Sequence, residues 1–178
     1  MNRTMKRTPL LLLFCALAAP LWAAPPAPVQ ALDISSGHWI FHGQTMKTAS
    51  GRGGGSFTWD EHCAWSPNHL FLQCTFSNNW AGRAMESLVV DTYNRTDHTY
   101  WHYEFFALGQ GGGRPFVSRM QIQGNTWIEY GAPAAGQRPA ERIVYRWDSP
   151  RRVRVAIEAS KDGSHWTTVD EGVGRKQP

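Results

Sequence analysis

Glu61 is the residue of this 178-residue chain best placed to do chemistry. It lies in Phe57-Thr-Trp-Asp-Glu-His-Cys-Ala-Trp65, a run that alternates large with polar or small side chains. That period of two belongs to a half-buried strand, and parity gives Trp59, Glu61, Cys63 and Trp65 a common face. A carboxyl group on a core face costs several kcal/mol unless paired or neutralised, so it often marks a site. The bland alternatives are a bulge that turns Glu61 outward, or an internal arginine partner. No nucleophile is signposted: the chain lacks Gly-x-Ser-x-Gly, Ser-x-x-Lys and His-Glu-x-x-His. Paired carboxyls across a cleft remain open as glycoside chemistry.

Cys63 and Cys74 carry a second kind of chemistry. Pairing them places Trp65 opposite Leu72 and Pro67 opposite Leu70, with Asn68-His69 as the turn. The same register puts Phe57, Trp59, Cys63 and Trp65 on the side shared by Leu70, Leu72, Cys74 and Phe76. Opposed residues of an antiparallel pair have Cβ atoms about 4.5–5.5 Å apart, close enough to bridge. A disulfide is therefore expected. The rival, a zinc site using these thiols with His62 or His69, needs further ligands from elsewhere.

Seven histidines invite a metal reading. His38 and His42, like His98 and His102, are four apart, which in a strand separates them by about 13 Å on one face. That is too far for one ion, although cross-strand partners could help. In the strand after Asp97 the faces divide into Trp101, Tyr103, Phe105 and into His98, Tyr100, His102, Glu104. The first set is more apolar and is assigned inward, the second to the surface. The expected ligand-binding interior is thus Trp59, Glu61, Trp65, Trp101 and Tyr103, with Glu61 as its main acidic group.

The elements that must position these residues are short strands. From about Gly37 to Arg175 the chain reads as roughly ten of them, punctuated by Gly, Asn, Asp and Pro, with no sustained helical period. Gly124-Asn125, Asp148-Ser-Pro150 and Asp162-Gly163 mark reversals. The glycine runs Ser50–Gly55 and Gly109–Gly113 lead into strands and carry no Lys-Ser or Lys-Thr, so neither is a phosphate cradle. The Ala-, Pro- and Gly-rich stretch from Gly131 to Ala140 is expected to form a flap at a barrel mouth. The fold class that follows is all-β: a single antiparallel up-and-down barrel of about ten strands.

The ends restrict the function further. Arg3, Lys6 and Arg7, the apolar Leu10–Ala19 and small residues at Ala23 and Ala24 read as a signal peptide over residues 1–23. Residues 24–35 read as an extended Pro/Ala-rich linker, and 36–176 as the barrel domain. An exported, periplasmic or secreted protein with no membrane span after cleavage is expected. Removing the leader takes 18 Lys+Arg to 15 against 14 Asp+Glu, a net charge of +1 instead of +4, which gives no support to nucleic-acid binding. The run Arg151, Arg152, Arg154 reads as a solvated outer face.

One resemblance emerges from Gly37-His-Trp39, Glu86–Asp91, Tyr93, Tyr100-Trp-His-Tyr103, Gln123-Gly-Asn-Thr-Trp127, Glu158–Trp166 and Gly172-Val-Gly-Arg175. Their order resembles the DUF1579 group of lipocalin-like, calycin-type barrels, a family of unknown function, over about residues 36–176. The resemblance implies a barrel able to hold one small apolar ligand, and supplies no active-site residue. Haem-binding barrels of the nitrobindin type use a histidine late in the chain. Their opening motif is poorly matched around Gly37–Gly43, so no cofactor is expected, with haem on a residue such as His165 as the alternative. Three readings stand: a non-catalytic exported barrel binding a small apolar or amphipathic molecule, an enzyme using Glu61 as acid or base, and an interaction module with a filled core. Cavity volume separates the third from the others.

Overall fold

A computed structural model of the chain describes residues 27–46, 54–80, 83–107, 114–131 and 140–178. The expected leader, the glycine run 109–113 and residues 132–139 of the expected flap lie outside them. Ten antiparallel strands form the fold: β1 (Gly37–Thr45), β2 (Gly55–Trp65), β3 (Phe71–Trp80), β4 (Arg83–Asn94), β5 (Thr99–Phe106), β6 (Phe116–Gln123), β7 (Thr126–Gly131), β8 (Ala140–Ser149), β9 (Arg152–Ser160) and β10 (Thr167–Lys176). Each pairs with its neighbours in sequence, and β1 closes on β10 through Trp39–Lys176 to Thr45–Asp170. The sheet therefore has no free edge, the arrangement by which an up-and-down barrel protects its backbone. Strand content, antiparallel order and the single closed barrel agree with the sequence reading.

The β2–β3 register is the one derived from the cysteines: Cys63 faces Cys74 and Trp65 faces Leu72. The two cysteines form a disulfide, their Cα atoms 4.0 Å apart. The turn is longer than Asn68-His69. Ser66 N–H donates to the Phe71 carbonyl at 2.9 Å, and the Ser66 carbonyl accepts from His69 N–H at 2.8 Å. His69 adopts φ 51°, and Leu70, expected inside, is 49% exposed because the loop carries it past the last core pair. Gly124-Asn125 makes the expected two-residue hairpin between Gln123 and Thr126.

Residues 27–35 depart from the extended linker. Ala27–Gln30 form one α-helical turn (α1) and Ala31–Ser35 a 3₁₀ turn. Val29 and Leu32, three apart on one side, are 4% and 0% exposed. Three side chains tie the segment down: Tyr100 Oη donates to the Pro28 carbonyl at 2.7 Å, Trp39 Nε1 to the Ser35 carbonyl at 2.9 Å and Trp65 Nε1 to Asp33 Oδ1 at 2.7 Å. Burial of two apolar side chains and these bonds outweigh the extended bias of the prolines. The segment plugs the barrel end where β1 begins and β10 stops.

Close packing depends on glycines at that seam. A Cβ on Gly43 would collide with the Phe57 ring and with the Glu171 backbone carbonyl; one on Gly174 would collide with the Phe41 ring. Both rings belong to the buried core, so they cannot swing away. Gly43→Ala should therefore lower unfolding free energy by about 1–3 kcal/mol in urea denaturation, the usual cost of overpacking. Replacing both Cys63 and Cys74 by alanine should cost about 2–4 kcal/mol while leaving the far-ultraviolet spectrum unchanged. Thiol titration of the denatured, unreduced barrel should find neither of these two cysteines free.

Candidate functional site

Parity decides what the barrel encloses. On β2 the odd residues Phe57, Trp59, Glu61 and Cys63 point inward, and the register carries the same face to Trp39 and Phe41 on β1 and to Phe76 and Asn78 on β3. Among the described residues the interior leaves a cavity of about 400 Å³, which favours a binding barrel over a filled core. That volume lies within the range of small-molecule sites, roughly 300–1,000 Å³. Trp39, Phe41, Trp59, Met120, Trp127, Tyr145 and Trp147 contribute its apolar wall. The tryptophans pack edge-on or tilted: Trp39 on Trp147 at 5.3 Å, Trp127 on Trp147 at 5.2 Å.

Glu61 lines this cavity as the sequence reading requires, but it is not alone. Asp91, Glu104, Glu129 and the exposed Glu141 line it too; among the described residues His102 supplies its single imidazole and no lysine or arginine joins them. Five carboxyl groups face one potential cation. The β5 assignment made from apolarity was inverted. Asp91 lies opposite His102 and Val89 opposite Glu104, which places the even residues of β5 on the core face of β4. Trp101 and Tyr103 consequently lie on the outer wall, absent from the cavity. There the two rings stack at 6.0 Å and Arg119 covers Trp101 at 4.8 Å. Phe105, on the same outer strip, is 45% exposed. Trp65 keeps its inward parity but sits at the plugged end, bonded to Asp33 and outside the cavity lining.

A polar network explains why acids occupy a core face. His102 Nδ1 lies 2.9 Å from Asp91 Oδ1, and its Nε2 lies 3.8 Å from Glu129 Oε1. Ser118 Oγ donates to Glu129 Oε1 at 2.6 Å, and Tyr145 Oη reaches Glu129 Oε2 at 3.5 Å. Ser87 Oγ donates to Glu104 Oε1 at 2.7 Å. Burial by itself would lower the His102 pKa, but the carboxylates of Glu129 and Asp91 override it and push it up to about 10. Glu61 is pushed up to about 8, first by burial and then by the charge of Asp91, with His102 partly opposing. Burial also raises Glu104, against the Ser87 hydrogen bond, and it raises Tyr145 well above the usual phenol range. At neutral pH the site thus presents a protonated Glu61 beside an imidazolium held between two acids.

Three side-chain atoms of lining residues are buried without a partner among the described residues: Trp59 Nε1, Trp147 Nε1 and Asn78 Oδ1. Their residues are 5, 7 and 8% exposed and all line the cavity. Two donors and one acceptor left unpaired in a buried site each carry a desolvation penalty. Trp59 was expected here; Trp147 and Asn78, with Asp91, His102 and Glu129 as lining residues, escaped the sequence reading. The one available signal was the alternation of acids with apolar residues on β4, β5 and β7.

The residues present do not fit the haem alternative. His165 lies in the turn after β9 with its side chain 90% exposed, its Nδ1 2.6 Å from Asp162. His102, the one imidazole in the cavity lining, directs both ring nitrogens at carboxyl groups.

The raised pKa values of Glu61 and His102 have a definite sign. A carboxyl group whose folded pKa exceeds its unfolded one contributes stability at low pH that is lost as pH rises, here between about 4.5 and 8 for Glu61. His102 also favours the folded state at low pH, its contribution lost between 6.5 and about 10. Urea denaturation should therefore show stability falling from pH 5 to pH 9. Glu61→Gln should remove the Glu61 part of that slope, leaving the protein unchanged near pH 4 and more stable than the parent at pH 8, by an amount on the order of a few kcal/mol.

No protein-family model matches the chain, and no curated protein matches it in sequence. Among solved structures, the chain is similar to Rv2717c from M. tuberculosis at 15% identity and a TM-score of 0.57, over 87% of this chain and 100% of that one. A protein of unknown function from the DUF3598 family of Nostoc punctiforme is 8% identical, over 85% of this chain and all of that one, with a TM-score of 0.25, too loose a likeness to carry an argument. At 15% identity the first likeness speaks for the fold alone. Together with the closed ten-strand sheet, it fits a calycin-like barrel.

Proposed function

We propose that this chain is an exported, DUF1579-type calycin barrel that binds one small amphipathic molecule in its interior, with a cationic or hydrogen-bonding head and an apolar body. The observation that carries the reading is the 400 Å³ cavity whose wall, among the described residues, combines aromatic rings with five carboxyl groups and no lysine or arginine. A carboxylate ligand entering there would meet like charge in a low-dielectric space, whereas an ammonium group would find both acids and ring faces. Export is supported by the signal-like first 23 residues and by the disulfide, which persists in oxidising compartments. Among the described residues, no helix is long and apolar enough to cross a membrane.

A second reading, an enzyme using Glu61 as general acid, is favoured by one observation. A carboxyl group with its pKa near 8 is protonated at neutral pH and faces the space a substrate would fill. Turnover of the natural ligand, as opposed to its retention, separates the two. Native mass spectrometry of protein taken from its export compartment would reveal that ligand.

The ligand class is testable without knowing the natural molecule. A short-chain alkyltrimethylammonium ion should quench the interior tryptophan fluorescence at saturation, and an alkyl carboxylate of equal length should bind at least about tenfold more weakly. The quaternary ion does not titrate, so any pH dependence belongs to the protein. Its affinity should rise about tenfold from pH 6 to pH 9 as Glu61 gives up its proton, and Glu61→Gln should flatten that rise. Equal affinity for both amphiphiles would refute the cationic-head assignment.

A further inference from the structure

The outer wall carries a second constellation, independent of the cavity. His38 on β1 and His62 on β2 are directly opposed in the register, and Asp60 lies two residues along β2 on the same outward face. The inward neighbours Trp39 and Glu61 both line the cavity, which fixes the outward parity of these three. Their placement needed the β1–β2 pairing. In sequence His38 and His62 are 24 residues apart, and the pair four apart, His38 and His42, is the one that draws the eye.

The geometry converges on a point. His38 Nε2 is 3.0 Å and His62 Nε2 3.1 Å from the same Asp60 Oδ1. The two imidazole rings stack at 3.8 Å with an interplanar angle of 14°, so both Nε2 atoms are presented in parallel to that oxygen. The three ligand atoms all lie within 4.8 Å of one another. Imidazole nitrogen binds zinc at about 2.0–2.1 Å and carboxylate oxygen at about 2.0–2.2 Å, so two donors of a tetrahedral ion stand about 3.4 Å apart. The two N···O distances of 3.0 and 3.1 Å are a few tenths shorter, so the donors need only a small outward adjustment to admit an ion.

We propose that His38, Asp60 and His62 form a surface site for a borderline divalent transition ion such as Zn²⁺, Ni²⁺ or Cu²⁺. The donor set decides the class. Two imidazoles and one carboxylate suit these ions, whereas Ca²⁺ and Mg²⁺ take oxygen ligands almost exclusively. Three protein ligands leave a coordination position for water or an incoming donor. Asp60 and His62 also border an external groove lined by Thr75, Ser77, Leu88 and Phe105, so that position faces a concave surface. The competing account is a hydrogen-bonded trio in which Asp60 Oδ1 accepts from both rings and no ion is held.

The test uses the mature protein without a polyhistidine tag, stripped with chelator and titrated calorimetrically with Zn²⁺. One-to-one binding is expected, weakened at least about tenfold by His38→Ala, His62→Ala or Asp60→Asn. His42→Ala, at another exposed histidine on the same strand, is the control and should bind as the parent does. All three ligands are on the outer wall, and an unchanged circular dichroism spectrum would confirm that each variant folds. Co²⁺ or Cu²⁺ should give a visible or paramagnetic spectrum of nitrogen ligation that the His38→Ala/His62→Ala double variant loses. Absence of stoichiometric binding, or binding that the double variant retains, would overturn the site and leave the hydrogen-bonded trio.

Discussion

Closure of the sheet is the constraint on which everything else in this molecule rests. Once β1 pairs with β10, every strand has two neighbours and every side chain has only two destinations, the interior or the outer wall. A shift of one residue in any strand would exchange the two sets. The disulfide fixes β2 against β3, and the tight glycine contacts at Gly43 and Gly174 admit Phe41 and Phe57 where the first and last strands meet. The plug formed by Val29 and Leu32 then covers one end. Cavity, acid cluster and surface histidines are all consequences of that register.

The interior is not the uniformly apolar space that a generic binder of hydrophobic molecules would present. Its carboxyl groups are tolerated because they are organised: His102 stands between Asp91 and Glu129, Ser118 and Tyr145 bond Glu129, and Ser87 bonds Glu104. Glu61 Oε1 lies 3.0 Å from Cys63 Sγ, a disulfide sulfur with no proton to donate, and the group is accommodated by protonation, which burial and the neighbouring charge of Asp91 favour. An acid that yields its proton only near pH 8 makes the cavity's charge responsive to what enters it. The same property destabilises the fold as pH rises, a cost characteristic of residues kept for a site and not for packing.

The outer wall has chemistry of its own. The Trp101–Tyr103 stack and Phe105 occupy it beside β4 and β6, while His38, Asp60 and His62 converge across β1 and β2. A barrel of this size separates the two surfaces completely, since neighbouring residues Glu61 and His62 face opposite sides of one sheet. Interior ligand and exterior ion are therefore separable properties, addressed by alternate residues of the same strand.

Much of this was legible in the residues themselves. Strand rhythm specified the all-β class, and the mirrored positions of Cys63 and Cys74 about the turn specified both their bond and the inward face of β2. Glu61 followed from parity on that strand. Local pattern failed on β5, where Trp101 and Tyr103 outweigh His102 and Glu104 in apolarity yet face outward. Apolarity ranks the two faces of one strand in isolation, but the decision belongs to the register with β4, which sets His102 against Asp91. The linker failed for a similar reason: Val29 and Leu32 gain helical shape only because the open barrel end offers them burial. What the sequence determined by itself was period and local pairing, which act over neighbouring residues. Which acids meet His102, and which histidines meet Asp60, was decided only by tertiary structure, because those contacts join residues whose proximity exists only after strands pair across the sheet.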